Sequence, residues 1–164
     1  MSNQENRIEQ GLKSGQLSTG EAAKLERGGA RIDRMEENSL KDGNLSPQEA
    51  ARIQRAQNQE SARINKLDNN TVSGNPNSAS SQRMQGDVQR DINQQRRIEQ
   101  GIQSGALTNK ETANLERGQA RIDRKEARAG ADGHVSAGEQ ARIQHAENNQ
   151  SKKIYREKHN SRTR

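Results

Sequence analysis

Residues 42–53 read DGNLSPQEAARI, and the pattern in this stretch decides how the chain folds. The pattern, Gly-x-Leu/Val-Ser/Thr-x-x-Glu, also occurs in SGQLSTGEAAKL from residue 14, SGALTNKETANL from residue 104 and DGHVSAGEQARI from residue 132. Glycine is favoured in the left-handed conformation that follows a helix. Ser or Thr followed three residues later by Glu forms a capping box at the next helix start. Each occurrence therefore predicts a tight turn between two helices.

Every position of the pattern has a predicted role in its turn. The Ser or Thr is the N-cap, and Pro47 suits the first helical position, where its missing N–H costs nothing. The apolar residue before each cap is expected to pin the turn against the next helix. The glycines are Gly15, Gly43, Gly105 and Gly133, and the apolar residues are Leu17, Leu45, Leu107 and Val135. The N-caps are Ser18, Ser46, Thr108 and Ser136, and the glutamates are Glu21, Glu49, Glu111 and Glu139.

A longer repeat divides the chain into two similar parts. RIEQG at residues 7–11 returns at 97–101, and LERG-x-ARIDR at 25–34 returns at 115–124, always with an offset of 90 residues. The sequence therefore predicts an all-α fold, a tandem duplication of a three-helix unit built from helical hairpins. The predicted segments are helical repeat 1 at 1–70, a flexible Ser/Asn/Gly-rich linker at 71–86, helical repeat 2 at 87–160 and a basic tail end at 161–164. The predicted helices cover 3–13, 18–38, 46–69, 87–103, 108–129 and 136–160.

Composition excludes several classes of protein. Only 26% of the 164 residues are hydrophobic, and the chain has no Phe, Trp or Cys. The absence of Cys excludes disulfides and thiolate metal sites. Because a substrate pocket is normally lined by apolar residues and this chain has few of them, no enzymatic activity is expected. No apolar run is long enough to span a membrane, and no signal peptide is recognisable, which suits a cytoplasmic protein or an exported mature form.

Positive charge is concentrated at the C-terminal end. The formal net charge is +6, and residues 151–164 contain six cations and only Glu157 as an acid. Such a segment predicts an anchor for an anionic macromolecule or protein, nucleic acid included, although a solvated terminus is an alternative interpretation. Self-association is a further expectation, because the apolar stripe is narrow. The predicted anchor consists of Lys152, Lys153, Arg156, Lys158, Arg162 and Arg164.

A second hypothesis concerns divalent cations. In the stretch from residue 42, Asp, Gly, Leu and Glu match positions five, six, eight and twelve of an EF-hand loop. The front half of the loop lacks the usual carboxylates, so weak, calcium-like binding without another cofactor is the alternative function. Its candidate ligands are Asp42, Glu49, Asp132 and Glu139. The acids Glu26, Asp33 and Glu36 alternate with arginines and are expected to form exposed i,i+4 pairs.

The order of these motifs resembles a known kind of protein. SG-x-L-[ST]-x-x-E, RID, DG-x-[LV]-S-x-x-E and the ending IYREKHN at 154–160 are similar to small bacterial proteins with tandem EF-hand-like helical hairpins. The resemblance covers most of both repeats. It implies helical hairpins and, in many such proteins, export from the cell, but it implies no activity.

Overall fold

A computed structural model describes residues 2–160, which form six α-helices and no strand. The all-α prediction is therefore confirmed. Five of the six helices begin within two residues of their predicted start. The helices are α1 (Ser2–Ser14), α2 (Thr19–Leu40), α3 (Pro47–Asp68), α4 (Ala79–Gln103), α5 (Asn109–Ala129) and α6 (Ala137–Lys158).

The four predicted turns have the expected local geometry. Ser46 illustrates the capping box: its Oγ accepts the Glu49 N–H at 3.3 Å, and its own N–H donates to Glu49 Oε2 at 3.0 Å. Equivalent boxes begin α2, α5 and α6. The four turn glycines have φ between +73° and +97°, a conformation that L side chains rarely adopt. The apolar residues Leu17, Leu107 and Val135 are buried as expected, whereas Leu45 is 45% exposed.

Helices α2 and α5 form the centre of the protein and run antiparallel. Near the start of α2, Ala23 lies against Gly130, which follows α5. Near the other end, Glu37 pairs with Arg117 of α5. Helix α3 packs on α1 and α2, and α6 packs on α4 and α5. The two halves of the sequence thus share one interior.

The structure differs from the predicted linker. Residues 79–86 form the first two turns of α4, because Ser78 is an N-cap whose side chain accepts the Ser81 N–H. Met84 is fully buried, and Ser80 Oγ accepts the Val135 N–H at 2.7 Å. Serine-rich composition was a misleading signal here, because these serines satisfy backbone groups instead of facing solvent.

The remaining connection is held against the first turn, which gives a stability prediction. The Gly74 N–H donates to Gly15 O at 2.8 Å, and a Cβ on Gly74 would lie 2.3 Å from the Leu17 carbonyl oxygen. Because the clash involves backbone, we expect Gly74→Ala to reduce the free energy of unfolding by about 1–3 kcal/mol. Gly138→Ala is the control: its Cβ meets nothing within 4 Å, and helix propensity favours Ala there. Urea unfolding of both variants checks this, and equal stabilities would contradict it.

Candidate metal centre

The interior of the bundle contains many carboxylates. Acidic side chains are almost never fully buried unless they are paired. In this protein, however, Glu26 and Glu126 have no exposed surface at all, and Asp33 is 1% exposed. These side chains come from five of the six helices. Those less than 5% exposed, apart from capping residues, are Glu5, Glu26, Asp33, Asp87, Asp91, Glu116, Asp123, Glu126 and Glu147.

The central helix pair explains part of this concentration. Glu26 and Asp33 lie seven residues apart, two helical turns, and so face the same way on α2. The 90-residue repeat places Glu116 and Asp123 at the equivalent positions of α5. Because the two helices run antiparallel, Glu26 comes close to Asp123, and Asp33 comes close to Glu116. The expectation that Glu26 and Asp33 form exposed ion pairs was therefore wrong.

Four helices contribute to the larger group of acids. One carboxylate oxygen each from Glu26 (α2), Asp91 (α4) and Asp123 (α5) lie within 4.8 Å of one another. Asp91 belongs to a second such group, with Glu126 of α5 and Glu147 of α6. Because the two groups share Asp91, these five residues form one site, called here the Asp91 cluster.

Most oxygens of the Asp91 cluster have no hydrogen-bond donor among the described residues. Both carboxylate oxygens of Glu26, Asp91 and Glu126 are buried and without a partner. Among residues 2–160, Arg90 forms a salt bridge with the cluster: its guanidinium lies 3.1 Å from Glu147 and also 3.1 Å from Asp87. A buried carboxylate without a donor or counter-charge is strongly unfavourable. The cluster therefore needs protons or a bound cation.

A smaller group is better supplied with donors. Oxygens of Asp33, Glu36 and Glu116 also lie within 4.8 Å of one another. Here Gln57 Nε2 donates to Glu36 at 3.1 Å, and Gln95 Nε2 donates to Glu116 at 3.4 Å. Amide donors stabilise part of the negative charge, so the Asp91 cluster is the stronger candidate for a cation.

Burial changes the acidity of these groups. Desolvation raises the pKa of Glu26 well above its usual range, and the nearby Glu5, Asp123 and Asp91 carboxylates raise it further. Burial likewise raises the pKa of Asp91 and of Glu126, each with neighbouring acids adding to the effect. Burial raises the pKa of Glu147 to about 8, with a contribution from Asp87. The raised pKa values mean that protonation, or a bound cation, is favoured over a bare negative charge in this cluster.

The EF-hand-like residues have a different role in the structure. Asp42 Oδ1 accepts the Asn44 N–H at 3.0 Å, and Asp132 makes the equivalent bond to His134. Glu49 and Glu139 complete capping boxes, and hydrogen bonds from the cap serines lower the pKa of each. None of these four acids belongs to a group of three close metal-ligating side chains within residues 2–160. The structure thus uses them to end and begin helices.

The structure describes four of the six residues of the predicted basic anchor. Lys152 and Arg156 are exposed on α6, and Lys158 ends that helix. Lys153 is half-buried, and its Nζ donates to the Asn114 carbonyl oxygen at 2.8 Å. Arg162 and Arg164 lie outside the described residues.

The sequence contained a signal for the Asp91 cluster. Acids recur at the same two positions of both repeats, seven residues apart and beside the apolar residues Leu25, Ile32, Leu115 and Ile122. A solvent-facing acid has no reason to keep register with an apolar stripe.

Within residues 2–160, no helix is both long and apolar enough to cross a membrane. Comparisons with protein families, curated proteins and solved structures found no match to this chain.

Proposed function

We propose that this protein is a non-catalytic helical bundle that binds a hard divalent cation in the Asp91 cluster. The observation that supports this most directly is the set of buried carboxylate oxygens without donors, contributed by four helices. An oxygen-only ligand set suits Ca²⁺, Mg²⁺ or Mn²⁺. The three histidines of the chain are exposed and lie away from the cluster, so the site has no imidazole ligand.

Protons are the competing way to neutralise the cluster. Oxygens of Asp91 and Glu126 lie within 4.8 Å of each other, so a proton on either carboxylate removes the repulsion between two like charges. Five carboxylates require several such protons, and each is released as the pH rises through the corresponding pKa. A divalent cation neutralises two charges at once and can be coordinated by several oxygens simultaneously. Above neutral pH the arrangement therefore favours a cation over protons.

Calorimetric titration of the chelator-treated full chain with CaCl₂, MgCl₂ and MnCl₂ tests this proposal. We expect at least one of these cations to bind at about pH 7.5, where competition from protons is reduced. Glu26→Gln removes a charged ligand, so we expect it to weaken binding at least about tenfold. Mutation of residues that only hydrogen-bond to a metal ligand already weakens metal binding by about that factor. Circular dichroism verifies that the variant is folded.

Glu49→Gln is the matched control. It removes the same charge from the EF-hand-like loop, and Gln preserves the capping box. Unchanged binding by Glu49→Gln is expected. Loss of binding in Glu49→Gln alone would place the cation in the loop, and no binding of any of the three metals by the unaltered chain would overturn the proposal.

A second candidate function is docking to an anionic partner as an interaction module. Its support is the set of exposed cations on α6, Lys152 and Arg156, together with Lys153, which lies in a groove beside Arg117 and Arg121 of α5. The basic C-terminal segment is then one part of a wider basic surface.

A further inference from the structure

The outer side of α5 presents a row of arginines. Arg117, Arg121, Arg124 and Arg128 are spaced by four, three and four residues, the spacing of one helix face. At about 1.5 Å per residue the row extends for about 16 Å. Together with Lys125 and with Arg34 of α2, these side chains line an open groove of about 590 Å³. We call this surface the α5 face.

The charge on the α5 face is strongly unbalanced. Glu37 is the acid among the residues that line the groove, and it pairs with Arg117 at 2.5 Å. The other acids of α5 do not offset the row, because Glu116, Asp123 and Glu126 point into the core and Glu111 is in a capping box. The burial of acids in the interior thus leaves the surface of this helix basic.

The composition of the groove favours one class of partner. Five of its six cations are arginines, and the planar guanidinium matches phosphate oxygens well. Charged residues are depleted from the buried core of a typical protein–protein interface, whereas this groove is lined by charged residues alone. Among the described residues, Tyr155 is the one aromatic of the Phe, Tyr and Trp type, and it stacks on His159 of the C-terminal end. A surface without stacking side chains suits a duplex, whose bases are already stacked, better than a single strand.

We propose that the α5 face binds the phosphate backbone of double-stranded nucleic acid without sequence preference. This inference rests on the second candidate function and specifies both the surface and the partner. A duplex presents one negative charge per about 1.7 Å of its axis, so the arginine row faces several phosphates. Arginine contacts to phosphate position a protein on a duplex but do not read its bases.

Fluorescence anisotropy with a DNA duplex of about 20 base pairs tests this. Binding by the full chain through about four phosphates predicts that the affinity falls about 100-fold between about 50 mM and about 200 mM salt. The double substitution Arg121→Gln, Arg128→Gln is expected to weaken binding at least tenfold at low salt and to reduce the salt slope by about 2. The control Arg52→Gln, Arg55→Gln removes the same charge from exposed positions on α3. It is expected to bind like the unaltered chain.

Several outcomes separate the possible surfaces and partners. Equal losses in the α5 variant and the α3 control would show a non-specific charge effect and overturn the proposal. A loss confined to Lys152→Gln, Arg156→Gln would leave the basic-segment anchor as the binding site and overturn the α5 face. Polyglutamate that displaces the duplex at equal charge concentration, with the same dependence on Arg121 and Arg128, would assign the face to an acidic protein. No binding to any duplex at low salt would overturn the proposal directly.

Discussion

Without divalent cations, the protein is expected to lose stability as the pH rises from about 5 to about 8. Burial raises the pKa of Glu5 and Asp87 to about 7 and that of Glu147 to about 8, while Glu26 and Asp91 are raised well above the usual range. The folded state therefore retains protons that the unfolded chain releases near pH 4. The resulting stabilisation is complete below about pH 4, declines as the pH rises, and is lost above the raised pKa values.

The size of this effect follows from the number of retained protons. Each costs about 1.4 kcal/mol per pH unit, so two protons reduce the free energy of unfolding by about 5 kcal/mol over two pH units. For a chain of this length, that corresponds to a fall in Tm of about 10–20 °C. Thermal unfolding of EDTA-treated protein measures this fall in Tm.

A cation present at about 100 times its Kd is expected to restore about 2.7 kcal/mol of the free energy of unfolding at pH 8 and much less at pH 5.

Two outcomes would contradict this predicted pH dependence or its link to cation binding. A Tm that rises or stays constant from about pH 5 to about pH 8 in EDTA would mean that the carboxylates are not neutralised by protons in the folded state. A pH-dependent fall without rescue by Ca²⁺, Mg²⁺ or Mn²⁺ would support protons alone and contradict cation binding.

The double substitution Glu26→Gln, Asp123→Asn is expected to stabilise the metal-free protein at about pH 8 and to abolish its response to metal. The two side chains belong to one group of close, buried oxygens, so replacing them with amides removes like-charge repulsion and a desolvation penalty. The expected gain is about 1–4 kcal/mol, the range seen when buried charged groups are replaced by uncharged side chains of similar volume. The same change removes two of the charged ligands on which the proposed site depends.

Tm measurements with and without cation check both parts of this prediction. Glu49→Gln, Glu139→Gln is the matched control, because it also replaces two carboxylates but retains both capping boxes. The control is expected to keep the metal response and to leave the pH dependence unchanged. Destabilisation of the core variant in EDTA at pH 8 would contradict the repulsion argument.

Local signals made most of the helix boundaries predictable. Gly43, Ser46 and Glu49 each act within one turn of chain, so their geometry depends little on the rest of the fold. The start of α4 was not predictable in this way. Ser78 has no glutamate three residues later, and the burial of Met84 depends on helices far away in the sequence. In the sequence alone, an N-cap serine without the glutamate of a capping box cannot be distinguished from a serine in a linker.

The candidate site was harder to predict, for a reason of solvation. Glu26 and Asp33 alternate with arginines, and acids at such positions are normally solvated. What places them inside is the antiparallel contact of α2 with α5, which brings Glu26 close to Asp123 and Asp33 close to Glu116. That contact joins residues about 90 positions apart, and no local pattern specifies it. The α5 face follows from the same contact, because the acids that turn inward leave their arginine neighbours outside.

The crossing of α2 and α5 also bears on how such a chain could have arisen. Both halves contribute to one group of acids: Glu26 comes from the first half, whereas Asp91 and Asp123 come from the second. Residues 1–70 alone would leave Glu26 and Asp33 facing water or would have to recruit a twin chain, helix against helix, about a two-fold axis. Two copies of such a unit related by a two-fold axis and then joined head to tail would produce an antiparallel contact like that of α2 with α5. Fusion would have freed the two halves to diverge, so that Asp91 could enter one side of the ancestral pair alone.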